Sequence, residues 1–255
     1  MNWLLLRGLG REQRHWHEFP LALSAAVAPS CVHALDLVGM GTEHRRVPPP
    51  SIPWIARDVA RRMSALPPSA DGRWSLLGLS LGGMVALELC WLLQARVDRA
   101  VIINASSAST SPLDRLRARA LPGIARVLVT SEPCERERLI LGLTSRLPRA
   151  DREPHACSAA RFAREAPVRR LAVATQLIAA ACFRPPPPAS VPARLLFLTS
   201  RHDALVSARC TRDLARFYGA TVEEHPNAGH DLPLDDPSWV CERIARFWAL
   251  RGVQG

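Results

Sequence analysis

The sequence predicts an α/β protein: a mostly parallel sheet of about six strands, helices on both faces, and a helical block inserted after the fourth strand. Two observations predict it. Short apolar runs alternate with longer amphipathic ones from residue 3 to 106 and again from 193 to 250. Between them lies a strand-poor, arginine-rich stretch, about 107–185, broken by prolines at 112, 122, 133, 148, 154 and 167. Strands joined through helical crossovers run parallel.

The elements follow in order. Residues 3–6, WLLL, read as a buried strand, and Arg7-Gly8-Leu9-Gly10 as the turn that stops it. Residues 12–28 read as a helix, because Trp16, Phe19, Leu23 and Val27 recur at helical spacing. A second strand, CVHALDL at 31–37, ends in VGMG. Three prolines at 48–50 close a loop, and a helix begins within IPWIARDVARRM. WSLLGL at 74–79 is a third strand and residues 81–94 a helix. RAVIINAS at 99–106 is a fourth strand, and 107–185 hold several short helices. RPPPP at 184–188 is a stiff linker. Strands at 193–200 and 221–225 enclose a helix at 207–218, and a last helix covers 236–250. The expected division is a core of 1–106 and 186–255 and a cap of 107–185.

A chain of 255 residues, 48% hydrophobic and 22% charged, suits one large domain with an ordinary core. A net charge of +10 invites a polyanion partner, but all 33 basic residues are arginine, a bias that runs through the whole chain. No nucleic-acid-binding motif accompanies the charge, so nucleic acid is not an expected partner. The seven cysteines form neither C-x-x-C nor a zinc spacing, and most lie in apolar stretches. Buried, reduced thiols are therefore expected, and with them a cytoplasmic setting. The amino-terminal apolar run is too short for a secretion signal, and no stretch has membrane-spanning length.

Chemistry points to Ser80. In an open parallel sheet, reactive groups collect at the carboxyl ends of strands. Ser80 stands where the third strand turns at once into a helix, in the pattern Gly78-Leu79-Ser80-Leu81-Gly82. A serine at such a tip is held in a strained conformation with Oγ exposed, and its neighbours two positions away come too close for side chains. The bland alternative is a glycine-rich turn that binds an anion at the helix start.

A serine nucleophile needs a base, and the base needs an orienting acid. The loops after the last two strands offer Asp203, in TSRHDALV, and His230, in HPNAGHDLPLDDP. The order Ser80, Asp203, His230 is that expected for this elbow. His225 falls inside the sixth strand and suits a packed or surface role; His202 adjoins Asp203. Asp231 is placed to form a salt bridge, and Asp235 and Asp236 resemble the cap of the last helix. The backbone amides of Leu81 and Leu9 are the candidate oxyanion donors.

These residues resemble the α/β-hydrolase superfamily. The elbow, LTSRHDALV and NAGHDLPLDDP match its nucleophile, acid and histidine motifs, and DLVGMG at 36–41 is similar to its D-x-x-G-x-G loop. The resemblance covers about 1–106 and 190–250 and implies the α/β-hydrolase fold without its two leading strands. Among relatives the chain is most similar to small carboxylesterases of the pimeloyl-carrier-protein methyl esterase type, which carry a helical cap where 107–185 lie. Two positions depart from the pattern. Arg7 stands where the family has His before the oxyanion glycine, and Ser200 where it has Gly before the acid. Arg7 could hold a substrate carboxylate or pair with Glu12 or Glu43.

The implied activity is that of a serine esterase that cleaves a carboxylic ester through an acyl-enzyme, with no metal or organic cofactor. Between 112 and 185 the chain has 14 Arg against 7 acidic residues. That excess suits an acidic acyl carrier protein or a substrate carboxylate, or is simply a solvated helical face. The same triad would serve an acyltransferase, thioesterase or amidase. A non-catalytic scaffold docking an acidic partner is the reading from another class.

Overall fold

The computed structural model describes residues 2–28, 30–67 and 72–249. Its sheet has six strands: β1 (Asn2–Leu6), β2 (Cys31–Ala34), β3 (Trp74–Leu79), β4 (Val97–Ile103), β5 (Arg194–Ser200) and β6 (Thr221–His225). Their order is β2-β1-β3-β4-β5-β6, and every pairing is parallel. The inner strands β1 and β3 are buried along their whole length, as a sheet covered on both faces requires. Helices α1 (Phe19–Ala26) and α11 (Pro237–Ala249), the latter preceded by the short α10 (Leu232–Asp235), cover one face, where Trp3, Leu5, Leu77 and Ile244 pack together. Helices α2 (Ile52–Met63), α3 (Leu81–Leu93) and α9 (Ala208–Tyr218) cover the other, over Leu4, Leu6, Leu76 and Phe197.

Three elements differ from expectation, each for a local reason. The helix expected at 12–28 is a 3-10 turn, Gln13–Trp16, followed by α1. His17 adopts φ 48 between them, and Pro20 lies in the first turn of α1, where its missing amide costs nothing. The second strand stops at Ala34 rather than residue 37, because Asp36 folds the chain back. Its carboxylate accepts hydrogen bonds from the Gln13 amide at 2.6 Å and the Thr42 amide at 2.8 Å. The fourth strand stops at Ile103, and residues 104–106 form part of the rim at the sheet's carboxyl end. Leu250, expected to end the last helix, lies outside the described residues.

Between β4 and β5 come α4 (Pro112–Arg115), α5 (Leu121–Val129), α6 (Pro133–Thr144), α7 (Arg149–Glu165) and α8 (Arg170–Cys182). The prolines explain the breaks: those at 112, 122 and 133 each sit in the first turn of a helix. A buried ion pair of 2.5 Å from Arg11 to Glu137 ties α6 to the turn after β1. The Gln176 side-chain amide of α8 donates to the Val38 carbonyl at 2.9 Å. The cysteines correct an expectation. Cys90, Cys210 and Cys241 are buried, but Cys134 is half-buried and Cys31, Cys157 and Cys182 are exposed. No helix among the described residues is long and apolar enough to cross a membrane.

Candidate active site

Ser80 joins β3 to α3 with φ 56 and ψ −117, a strained conformation for a residue with a side chain. Its amide donates to the Ile103 carbonyl at 2.8 Å, which pins the elbow to the end of β4. A Cβ on Gly78 would run into the backbone of Gly82 and Gly83, and one on Gly82 into the Leu6 and Arg7 carbonyls. The glycines therefore let the elbow close on itself and press against the end of β1. The turn after β1 then lies beside the serine: a Cβ on Gly8 would stand 3.2 Å from the Ser80 Cβ. Leu9 follows Gly8 in this turn, and Leu81 is the first residue of α3. Among the described residues, none accepts a hydrogen bond from either amide.

Asp203 lies in the turn after β5 and is 1% exposed. One carboxylate oxygen accepts from the amides of Leu205 at 2.7 Å and Val206 at 2.9 Å. The other accepts from His230 Nδ1 at 2.6 Å. The structure thus joins the predicted acid and base directly, with the acid held on both oxygens. Burial alone would push the His230 imidazole down; the Asp203 charge and hydrogen bond, with Asp231 adding to them, outweigh it and raise the pKa above 6.5.

The residue that organises this rim carries no motif in the sequence. Asn104 follows β4 with φ 47, a conformation asparagine tolerates better than most residues. Its side-chain amide donates to the His230 carbonyl at 2.8 Å and to Ser200 Oγ at 3.1 Å. Its side-chain oxygen accepts from the Ser200 amide at 3.0 Å. Ile103, one residue earlier, holds Ser80. The end of β4 is therefore the common post to which the serine, acid and histidine loops are fastened.

Arg7 is not a free receptor for a substrate carboxylate, nor does it pair with Glu12 or Glu43. It is buried, and its two terminal nitrogens donate to the two oxygens of Asp231, at 3.1 and 2.5 Å. Glu12 instead accepts from Arg14, and Glu43 from Arg46. Arg7 also lies 4.7 Å over the Trp16 ring. Burial would raise the Asp231 carboxyl, but the Arg7 charge and fork hold it below the usual carboxylate range. The pair ties the turn beside Ser80 to the residue next to His230.

The sequence matches the Alpha/beta hydrolase family over residues 3–243. The chain belongs to that family. Its fold is similar to an esterase from Thermogutta terrifontis, at 20% identity and a TM-score of 0.70, over 98% of this chain and 89% of that one. An enol-lactonase from Burkholderia xenovorans matches at 20% identity and 0.74, over 97% and 91%. A meta-cleavage product hydrolase from Pseudomonas fluorescens matches at 17% identity and 0.75, over 98% and 90%. No curated protein matches the sequence.

In this α/β-hydrolase the rival residues have other work. His225 Nδ1 accepts from the amides of Asn227 and Ala228, and its Nε2 faces Asp236 at 3.1 Å. Asp236 caps α11 by accepting from the Trp239 amide at 2.9 Å. Asp235, expected in that cap, instead accepts from the amides of Gly229 and Arg146 and from Ser145 Oγ, and so ties the cap to the His230 loop. His202 is exposed. His15 is pushed well down by burial and by Arg11, and His17 to about 4 by burial and His155. Both are neutral at ordinary pH, whereas His230 has a raised proton affinity. A cavity of about 250 Å³ lies between α6 and the Asp203 and His230 loops, against Arg119, Arg146, His202 and Gly229. Its described lining includes neither Ser80 nor His230.

Proposed function

We propose that this α/β-hydrolase is a serine hydrolase of carboxylic esters. The observation that carries the reading is the 2.6 Å hydrogen bond from His230 Nδ1 to Asp203 in the loops fastened beside the Ser80 elbow. A neutral imidazole with its proton on Nδ1 leaves Nε2 as the acceptor. His230 Nε2 takes the Ser80 proton as Oγ attacks the ester carbonyl. The amides of Leu9 and Leu81 receive the oxyanion. Collapse expels the alcohol, which leaves with the proton from His230, and an acyl-serine remains. Water then gives a proton to His230 and attacks the acyl carbon; release of the acid returns the proton to Ser80. Asp203 fixes the tautomer and stabilises the imidazolium. No step calls on a metal or organic cofactor.

The similar structures named for esterase and enol-lactonase activities accord with this reading. A fluorophosphonate probe tests it. Stoichiometric labelling on Ser80, lost in Ser80→Ala with the fold intact by circular dichroism, is the expected result. Labelling elsewhere, or none in a folded protein that also fails to hydrolyse aryl esters, rejects it. Running the reaction with added alcohols or amines separates hydrolysis from acyl transfer.

A further inference from the structure

Two thiols 23 residues apart in sequence meet in the cap. Cys134 lies in the first turn of α6 and Cys157 in the middle of α7, and their Sγ atoms stand 3.8 Å apart. Glu153 is four residues before Cys157 on the same helix, with Oε1 3.7 Å from Cys157 Sγ. All three donor atoms lie within 4.8 Å of one another.

We propose that Cys134, Cys157 and Glu153 form a binding site for a thiophilic divalent cation of the zinc class, which joins α6 to α7. Two thiolates at about 2.3 Å from a tetrahedral zinc stand about 3.8 Å apart, and a thiolate and a carboxylate oxygen about 3.5 Å. The two edges at Cys157, 3.8 Å to Cys134 Sγ and 3.7 Å to Glu153 Oε1, are close to those values, and the third is no longer than 4.8 Å. Arg138 donates from Nε to both Glu153 oxygens at 3.0 Å and from a terminal nitrogen to Oε1 at 2.6 Å. That fork holds the carboxylate beside the sulfurs, as outer partners do for metal ligands. A dication offsets the two thiolate charges, while Arg138 faces both Glu153 and Glu135. Cys157 is exposed, which leaves an open path for the ion and a place for water as fourth ligand. Loading breaks both S–H bonds, forms two metal–sulfur bonds and releases two protons to solvent, with no change of oxidation state. The sequence hides the site because its thiols come from different helices. It takes no part in the ester chemistry; it clamps the cap.

The test uses the full chain, reduced and stripped of metal, titrated with Co²⁺ and Cd²⁺. One equivalent should bind with a thiolate-to-metal charge-transfer band, release protons, and be displaced by Zn²⁺. Cys134→Ser with Cys157→Ser should weaken binding at least ~100-fold, and Glu153→Gln or Arg138→Ala about 10-fold. Cys31→Ser with Cys182→Ser, the other exposed thiols, should change nothing. Circular dichroism of the metal-free variants checks folding, and Cys157→Ser alone replaces the double variant if that fails to fold. Undiminished binding in the cysteine variants overturns the proposal. So does a reduced wild type that takes up no metal; a Cys134–Cys157 disulfide in the isolated protein would then make the pair a redox couple.

Discussion

At the carboxyl rim of the sheet, Asn104 and Asp203 are each 1% exposed, and backbone and side-chain partners hold both side chains. In the cap, α5 buries no residue, and Val129 at its end is 83% exposed. The two regions lie within one chain and meet at Arg11–Glu137, yet they are built to different tolerances. The proposed proton transfer between Ser80 and His230 requires placement within a fraction of an ångström. No comparable demand falls on a helix such as α5, which buries none of its residues. Substitutions should therefore act at the rim through geometry and charge, and between β4 and β5 through partners and salt.

The rim should break most sharply at Asp203. Asp203→Asn keeps the shape but lets His230 take the wrong tautomer, so kcat should fall about 10³–10⁴-fold with a near-normal fold. The pH profile adds a sign. In the proposed mechanism His230 acts as a base only when neutral, and its pKa is raised, so kcat/KM for aryl esters should rise through a midpoint above 6.5. Without the Asp203 charge the residual activity should rise at lower pH. A limb that stays in place would mean that another group supplies the base.

Arg7 should break the same rim through stability. Arg7→Met strands a buried carboxylate, and should cost about 3–5 kcal/mol in chemical denaturation. Adding Asp231→Leu should restore most of it. The Asp231 carboxyl is depressed in the folded state, so the pair's contribution is fully present above the ordinary carboxylate range and fades as pH falls through the folded value. The double variant should lose that acid sensitivity. A substrate-binding Arg7 would instead raise KM and leave stability alone. Asn104→Gly keeps the left-handed backbone and removes only the side chain. It should lower kcat about 10-fold with little change in KM, and cost about 1–3 kcal/mol through the unpaired rim groups. A stability loss without any change in kcat would make Asn104 a fold residue only.

These outcomes also bear on what the sequence could show. The Ser80 elbow was legible because its constraint is local: glycine two residues either side of a serine, between a strand and a helix. Asp203 and His230 were legible because parallel-sheet order says which loops share an edge. Asn104 was not, since INAS continues an apolar strand by pattern, and only the sheet shows that the ladder ends at Ile103. Arg7 stands out of pattern in the sequence, but its partner does not, because it lies 224 residues away and pairing obeys no period. The cap was legible as helices, from its prolines, and its contacts were not, because exposed arginines have many possible acids.

The smallest expected effect asks whether the cap's charge does anything. Many cap arginines are spoken for: Arg138 by Glu135 and Glu153, and Arg117 and Arg119 by the Asp203 carbonyl. Arg126, Arg169 and Arg170 are exposed, and no described carboxylate pairs with them. If they meet an acidic acyl carrier protein, kcat/KM for a carrier-linked ester should fall several-fold as salt shortens the screening length from ~30 Å at 0.01 M to ~8 Å at 0.15 M. A small neutral ester should show a flat response, because no long-range attraction brings it in. Arg126→Gln with Arg169→Gln and Arg170→Gln should flatten the first curve and leave the second alone. Equal salt responses for both esters would reduce these arginines to a solvated face. The contrast with the rim would then rest on particular residues: Arg7 and Asp231 committed to each other in the interior, Arg126, Arg169 and Arg170 committed to solvent.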